Sequence, residues 1–403
     1  MSNKGKEIYV GNLFSIDIRP DQRDSTISEF EEELIFSYLK NVLPDVEQDQ
    51  SSIKLINSNF FYESYSLVSQ NKKYLLKISL DPDNKKLSTE KKALDSVSDL
   101  ISPTIINYTN DEEAGIEFIL FTWENGENFD FFGIDDLIYN IGTFSCNLDF
   151  VHESDFSELM SFEDKFIENE SIIEFFEAVD TKEKDIFEKL VNLNLDNIKN
   201  IFLILKNIFK EKYSEDITVL CHSNLKKSNI LYQSELIKFI NFENAHKADI
   251  YYSLLKVVNN LGLFKNFKDV GLFLEKYHTS SNLVNHLSLK DFLAKYQEKK
   301  EINQLLLFQE LLSKILFHFT AYGAFYRTSN LVQYIELYNN LRPTVKKYLS
   351  DHVKSLDKLF YTCIQSVETY DMDELKKVAG IVDEEEVDEG YSNPGIEEYK
   401  PTN

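Results

Sequence analysis

The sequence predicts an α+β protein, with strands in its N-terminal part and mostly helices after them. Short apolar runs typical of strands lie at 74–79 and 115–121, the second running into a turn at Gly126. Apolar residues recur at helical spacing between 134 and 152, and from about 250 to 369 the pattern is helical throughout. With 403 residues, of which 43% are hydrophobic and 13% aromatic, the chain can bury a sizeable core.

Each element has its own local signal. Residues 27–42 are predicted to form a helix ahead of the first strand. Ser88 and Thr89 are typical of helix N-caps and open the segment that contains Glu90. The run Ile240–Glu243 has the apolar residues of a buried strand, so Glu243 is expected to share a face with Asn241. Long helices are predicted at 302–326 and 331–348.

One polar motif stands out between the predicted strands. His222 begins the run HSNLKKSNIL, in which Asn229 lies five residues after Asn224 and an apolar Ile-Leu pair follows. Ile240–Glu243 (INFE) comes nine residues after this run. Such short polar strings also arise by chance in a chain rich in Asn and Lys. The strand-borne Lys77 upstream and the helical pattern downstream make chance the weaker explanation.

These residues resemble the motifs of the aminoglycoside phosphotransferase and choline kinase family. There the pattern is His-Gly-Asp, four residues, Asn, and then a strand ending Ile-Asp-Phe or Ile-Asp-Trp, often followed by Glu. Here His222 and Asn229 match, Asn224 stands where the family has its catalytic Asp, and Asn241 stands where it has its main magnesium-binding Asp. The resemblance implies a bilobal protein-kinase-like fold and the use of ATP and Mg²⁺, with both weakened or lost in a degenerate member.

The resemblance also implies an organisation of the chain. A helical extension would occupy residues 1–50, a small β-rich N-lobe 51–121 and a hinge 122–126. A larger, mostly helical C-lobe would follow at 127–370. An acidic tail, disordered or used for docking, would end the chain at 371–403.

The two amides matter chemically. In kinases of this kind one Asp accepts the proton of the attacking hydroxyl, and a second Asp holds the metal together with the loop Asn. The amide of Asn224 cannot take up that proton, and general-base help is typically worth about 10²–10⁴-fold in rate. Asn241 would weaken the metal, since magnesium prefers anionic oxygens. Glu243 is the candidate replacement ligand beside Asn229, or it has a structural role.

Lys77 is expected to reach the nucleotide phosphates, as the strand lysine of kinases does. We predict that it pairs with Glu90, thirteen residues on. The alternative is a lysine that extends to solvent from an edge strand, with Glu90 on the surface. The phosphate-covering loop of the family aligns with 54–65, where Asn59 fits but no glycine is present. Without glycine, backbone N–H groups approach phosphates less closely, which argues against strong nucleotide binding.

Three further polar residues are expected to be structural. His152 closes the predicted helix, and no second His or Cys stands at metal-ligand spacing. By resemblance, His222 packs and forms hydrogen bonds beneath the catalytic loop. Asp249 matches an Asp that usually supports that loop in the family, whereas Ser253 replaces the second Asp of the same segment.

Composition limits the partners and the setting. The net charge of −25 argues against binding to nucleic acid or to an anionic membrane, and no run is apolar enough to span a bilayer. No signal peptide is visible, and the three well-separated cysteines suit reduced thiols, so a cytoplasmic location is expected. The acidic run at 383–389 predicts solvated disorder or a docking site for a protein partner.

Three functions remain open at this level. The first is a degenerate kinase-fold protein that binds a partner or ligand, with phosphotransfer lost or strongly reduced. The second is an active ATP-dependent phosphotransferase that acts on a hydroxyl of an aminoglycoside, a choline-like molecule or a sugar. The third is a structural component of an assembly. The loss of both carboxylates and of the loop glycines favours the first.

Overall fold

A computed structural model gives the fold. It describes residues 29–44, 46, 51–58, 62–79, 85–111, 116–128, 137–178, 185, 188–189, 192–233, 236–265, 267–322 and 331–363. Asn59 and the acidic tail lie outside these residues, so the predictions made for them are not addressed further.

The N-terminal lobe is an antiparallel sheet between two helices. Its strands lie in the order β1-β2-β3-β5-β4, with every neighbouring pair antiparallel. The strands are β1 Ser51–Ser58, β2 Glu63–Ser69, β3 Lys72–Ser79, β4 Ile105–Asp111 and β5 Ile116–Thr122. Helix α1 (Glu29–Val42) precedes the sheet, and α2 (Lys86–Leu94) follows β3.

Alternation along β3 explains how the sheet holds both helices. Leu76 and Ile78 pack in a buried cluster with residues of α1, among them Phe36 and Leu39. The intervening Lys77 points to the opposite face, where it meets α2. The contact with Glu90 of α2 covers Lys77, which is only 2% exposed.

The second lobe is helical, with two small sheets beside the connection. Its helices are α3 Leu137–His152, α4 Phe162–Glu170, α5 Ile172–Ala178, α6 Leu195–Lys212, α7 Ile250–Asn260, α8 Phe267–Ser280, α9 Leu289–Tyr322, α10 Leu331–Tyr348 and α11 Val353–Asp357. Its strands are β6 Glu127–Asn128, β7 Thr218–Cys221, β8 Ile230–Gln233, β9 Leu236–Phe239 and β10 His246–Asp249. β6 pairs with β8, β8 with β9, and β7 with β10, all antiparallel.

Most predicted elements are present, and two differ. The predicted helix at 331–348 matches α10, whereas α9 begins at Leu289, thirteen residues before the predicted start at 302. The predicted strand Ile240–Glu243 is wrong, because β9 ends at Phe239 and Asn241 has a left-handed backbone with φ 65°. The sequence had indicated a strand at 240–243 because a short apolar run is typical of a buried strand.

A continuous apolar core joins α3, α6, α7 and α9 to the strands around the motif. Cys146 and Cys221 are free thiols, the first exposed and the second buried. Within the described residues, no helix has both the length and the apolarity that crossing a membrane requires.

Candidate active site

The motif forms a loop that two left-handed residues shape. Ser223 (φ 67°) follows β7, and Asn241 (φ 65°) follows β9. Between them, Lys227–Asn229 forms one turn of 3₁₀ helix that leads into β8. The backbone N–H of Ile240 donates to the carbonyl of Asn229 at 3.0 Å, so the two segments are tied together. This brings Asn224, Asn229 and Asn241 to the same place.

His222 fixes the base of this loop. Its Nε2 lies 3.0 Å from the carbonyl oxygen of Ile240, and its Nδ1 lies 3.3 Å from the backbone nitrogen of Asn224. Because a carbonyl only accepts, Nε2 carries the proton and Nδ1 accepts the N–H of Asn224. Burial lowers the pKa of His222 to about 4, so the ring is neutral. The structural role predicted for His222 agrees with these contacts.

Lys77 and Glu90 form the predicted ion pair. Lys77 Nζ lies 2.6 Å from Glu90 Oε2, and both side chains are 2% exposed. Glu90 Oε1 accepts the backbone N–H of Phe242 at 3.3 Å. The edge-strand alternative is therefore wrong, since β3 lies in the middle of the sheet. Glu90 joins the lysine strand, α2 and the segment of Asn241.

The three asparagines continue from Lys77 in a chain of hydrogen bonds. Lys77 Nζ donates to Asn241 Oδ1 at 3.0 Å, and Asn241 Nδ2 donates to Asn229 Oδ1 at 2.7 Å. Asn229 Nδ2 then donates to the backbone carbonyl of Asn224 at 2.8 Å. An ammonium cannot accept and a carbonyl cannot donate, so the chemistry at both ends fixes the orientation of both amides. We call this set the amide chain.

An open cleft of about 530 Å³ lies against the amide chain. Its wall comes from the sheet, from residues 122–126 and from the motif. The described lining residues are Ile56, Tyr62, Ser64, Leu75, Lys77, Glu90, Pro103, Phe121, Thr122, Trp123, Glu124, Asn125, Gly126, Asn224, Lys226, Ser228, Asn229, Leu231, Ile240 and Asn241. Ligand pockets are typically about 300–1,000 Å³ with apolar walls and a few polar groups, and this cleft fits that description.

Lys226 is a lining residue that the sequence analysis missed. It lies two residues after Asn224 and is a second lysine that lines the cleft, in addition to Lys77. The signal in the sequence was the Lys226-Lys227 pair inside the motif. Spacing alone does not tell which of two adjacent lysines in a loop faces the cleft, and here Lys227 is exposed outside the lining.

Glu243 does not line the cleft with Asn241. The expectation that the two share a face required a strand, and the left-handed Asn241 turns the chain instead. Glu243 is 2% exposed, its Oε1 accepts from Asn244 Nδ2 at 3.4 Å, and its Oε2 has no hydrogen-bond partner among the described residues. Burial raises its pKa to about 7. Its metal role stays a prediction without the geometry on which it was based.

Asp249 lies at the start of α7, and its contacts agree with the structural role predicted for it. Its carboxylate accepts the backbone N–H of Tyr251 at 3.0 Å as an N-cap and forms an ion pair with Lys299. These contacts support the helix and α9. The hydrogen bond to the motif comes instead from Asn260, at the end of α7, whose Nδ2 donates to the carbonyl of Ser223 at 3.2 Å.

His152 is likewise a structural histidine, as predicted. Its Nε2 lies 2.9 Å from Ser253 Oγ, its Nδ1 lies 2.5 Å from the hydroxyl of Tyr277, and its ring packs edge-on against that tyrosine. Burial lowers its pKa to about 3, so the ring is neutral and joins α3, α7 and α8.

Among the described lining residues, Asn229 and Asn241 do not form the usual donor set of a magnesium site. Magnesium is usually held by one or two carboxylates, whereas Asn229 and Asn241 offer amide oxygens that already accept protein hydrogen bonds. Among the described residues, no group of three or more His, Cys, Asp or Glu is placed to hold a metal ion. The amides therefore do not fit the metal that the resemblance implied.

The two lobes and the cleft between them define a protein with the fold of small-molecule kinases, as the resemblance had implied. Choline kinase LicA from Streptococcus pneumoniae aligns with 79% of this chain and 100% of its own, at a TM-score of 0.53 and 16% identity. Plasmodium vivax ethanolamine kinase aligns with 82% of this chain and 91% of its own, at a TM-score of 0.53 and 15% identity. Choline kinase from Cryptosporidium parvum Iowa II aligns with 81% of this chain and 99% of its own, at a TM-score of 0.51 and 13% identity.

Aminoglycoside phosphotransferases share the same fold. A thermostable mutant of APH(4)-Ia, in ternary complex with AMP-PNP and hygromycin B, covers 77% of this chain and 97% of its own, at a TM-score of 0.50 and 7% identity. No protein-family model and no curated protein sequence matches the chain. At these identities the likeness shows the fold alone.

Proposed function

We propose that this chain is a degenerate kinase-fold protein that binds a nucleotide in its cleft, with phosphotransfer lost or strongly reduced. The observation that supports it best is the amide chain. Lys77, Asn241, Asn229 and the backbone of Asn224 satisfy one another at the position where the resemblance places two catalytic carboxylates.

The loss of activity follows from proton and metal chemistry. Asn224 lies at the cleft but has no basic oxygen to take the proton of an attacking hydroxyl. The loss of general-base help lowers the rate by about 10²–10⁴-fold. Asn241 adds a second loss, because a neutral amide does little to hold the metal that neutralises the phosphates in kinases.

The retention of binding follows from the rest of the cleft. The buried Lys77–Glu90 ion pair is intact, and a buried pair of this kind persists only when its geometry is supported. Aromatic and aliphatic side chains, among them Phe121 and Leu231, provide an apolar wall for a planar base. Lys77 and Lys226 provide positive charge for phosphates at the polar end.

The test measures binding and turnover on the same protein. We expect calorimetric titration to detect ATP, and ATP hydrolysis and phosphotransfer to stay at background. Lys77→Ala is expected to weaken ATP binding, because the ammonium that faces the cleft is removed. Turnover at about 1–100 s⁻¹, the range typical of kinases, would refute the proposal. So would the absence of ATP binding in every buffer.

A gain-of-function experiment addresses the two asparagines. The double variant Asn224→Asp/Asn241→Asp restores the carboxylates of the resemblance, and Asn224→Asp alone is its matched control. We expect magnesium-dependent ATP hydrolysis only in the double variant, because one carboxylate takes the proton and the other holds the metal. If both variants remain inactive although ATP binds, another part of the site has also been lost.

The intact Lys77–Glu90 pair also favours a second function, an active phosphotransferase. In this alternative Asn229, Lys77 and Lys226 position ATP and an acceptor hydroxyl, and the rate comes from positioning alone. The structurally similar kinases suggest the acceptors to try: choline, ethanolamine and hygromycin B. Transfer of labelled phosphate from ATP to any of them, abolished by Lys77→Ala, would establish this function instead.

A further inference from the structure

We propose that the cleft binds nucleotide phosphates without a divalent cation, and that Lys77 and Lys226 supply the positive charge that a metal ion supplies in kinases. The inference rests on the proposed function, because it takes a nucleotide to be the ligand of the cleft.

The amide oxygens are oriented toward protein donors. Asn241 Oδ1 accepts from Lys77, and Asn229 Oδ1 accepts from Asn241 Nδ2 at 2.7 Å. Joint coordination of one cation by both oxygens would require Asn241 to turn its N–H away from Asn229. Both the Lys77 bond and the amide–amide bond would then break. With Asp at position 241, the two oxygens would face each other with no hydrogen between them, an arrangement that a cation relieves.

The carboxylates that line the cleft are also committed to protein donors. Glu90 Oε2 pairs with Lys77, and its Oε1 accepts the backbone N–H of Phe242. Glu124 Oε1 accepts from Thr122 Oγ1 at 3.1 Å, and its Oε2 pairs with Lys238 at 2.8 Å. Among the described lining residues, every carboxylate oxygen therefore already has a protein donor. An incoming cation would compete with a lysine at both carboxylates.

An anion meets the opposite situation. The ammonium of Lys77 has three N–H donors and uses two of them, for Glu90 and Asn241. The third is left for an oxygen of the ligand, and Lys226 lines the same cleft. A phosphate can thus bind with the amide chain in place, whereas a metal ion held by both amide oxygens would compete with the hydrogen bonds of that chain. Charge-assisted hydrogen bonds of this kind are among the stronger ones in proteins.

The experiment is calorimetric titration of the full chain with ATP, in buffer with EDTA and in buffer with excess MgCl₂. We expect the two dissociation constants to agree within about threefold. Adenosine is titrated in parallel, and we expect it to bind more weakly than ATP in both buffers. Lys226→Met is expected to weaken ATP binding by about ten- to a hundredfold, the loss of one hydrogen bond to a charged group. Lys227→Met is the matched control and is expected to leave affinity unchanged.

Asn241→Asp gives the converse result if the amide chain is the reason. The variant is expected to lose at least about tenfold in affinity in EDTA and to regain it with MgCl₂, because a carboxylate can hold the cation. Asp tolerates the left-handed conformation nearly as well as Asn, so the substitution is compatible with the backbone at 241.

The outcomes separate the two claims. ATP binding by the unmodified chain that appears only with MgCl₂ would overturn this inference and leave the proposed function intact. Equal affinity in both buffers that Lys226→Met does not change would also overturn it, because the lysine would have no part in binding. No ATP binding in either buffer would refute the proposed function together with the inference.

Discussion

Glu243→Gln tests the electrostatics of the motif through stability. The carboxyl of Glu243 is 2% exposed, and one of its oxygens has no hydrogen-bond partner among the described residues. Burial raises its pKa from the ordinary 4.5 to about 7, although the nearby Lys77 and Lys86 act in the opposite direction. At about 1.4 kcal/mol for each pKa unit, this difference in pKa corresponds to at most about 3.5 kcal/mol of stability.

The sign follows from proton binding. Between pH 4.5 and about 7 the folded chain holds a proton on Glu243 that the unfolded chain has lost. Stability therefore falls as the pH rises through this range, and the full loss is present above about pH 7. Glutamine does not titrate, so the variant is expected to lack this loss and to gain stability relative to the unmodified chain as the pH rises from 4.5 to 8.

The assay is urea unfolding of both proteins at several pH values between 4.5 and 8. The difference between the proteins is the informative quantity, because buried neutral histidines such as His222 titrate in the opposite sense at the acid end. Glu174→Gln, at an exposed position in α5, is the matched control for the removal of one carboxylate. If the Glu243→Gln difference is independent of pH, the carboxyl does not titrate in this range and the reasoning is refuted.

Other contacts give further expectations, each measured by urea unfolding. Glu90→Ala leaves the ammonium of Lys77 buried without its carboxylate and is expected to destabilise the chain by about 3–5 kcal/mol, whereas Lys77→Met together with Glu90→Leu should cost much less. A double variant as unstable as Glu90→Ala would contradict this. Asp249→Ala removes the N-cap of α7 and the ion pair with α9, for an expected loss of more than about 1 kcal/mol. His222→Phe is expected to lower stability at neutral pH by about 1–3 kcal/mol, because two loop hydrogen bonds are lost. It should also flatten the rise in stability between about pH 4 and 6.5, and an unchanged slope would contradict the buried neutral ring.

How far the sequence could lead differs between the fold and the site. Lys77 and Glu90 could be paired in advance from the resemblance, because the strand lysine of kinases usually pairs with a glutamate on a helix and both residues stand in segments of the matching type. The position of Glu243 could not be predicted, because its face depended on the backbone angle of Asn241. A single left-handed residue in an apolar run leaves no trace in hydrophobic periodicity. Lys226 was missed for a related reason, since a loop has no period that assigns side chains to faces.

The amide chain shows why residue identity alone does not determine the chemistry of this site. From the sequence, Asn224 indicates the loss of a general base and Asn241 the loss of a metal ligand. In the structure Asn241 also has a positive role, because its Nδ2 donates a hydrogen bond to Asn229 that a carboxylate cannot donate. The Asn241→Asp substitution alone therefore removes the hydrogen bond to Asn229 and supplies a carboxylate that can hold a cation. The ATP affinity of the Asn241→Asp variant in EDTA measures the effect of losing the hydrogen bond. The change in that affinity on addition of magnesium measures the effect of gaining the carboxylate.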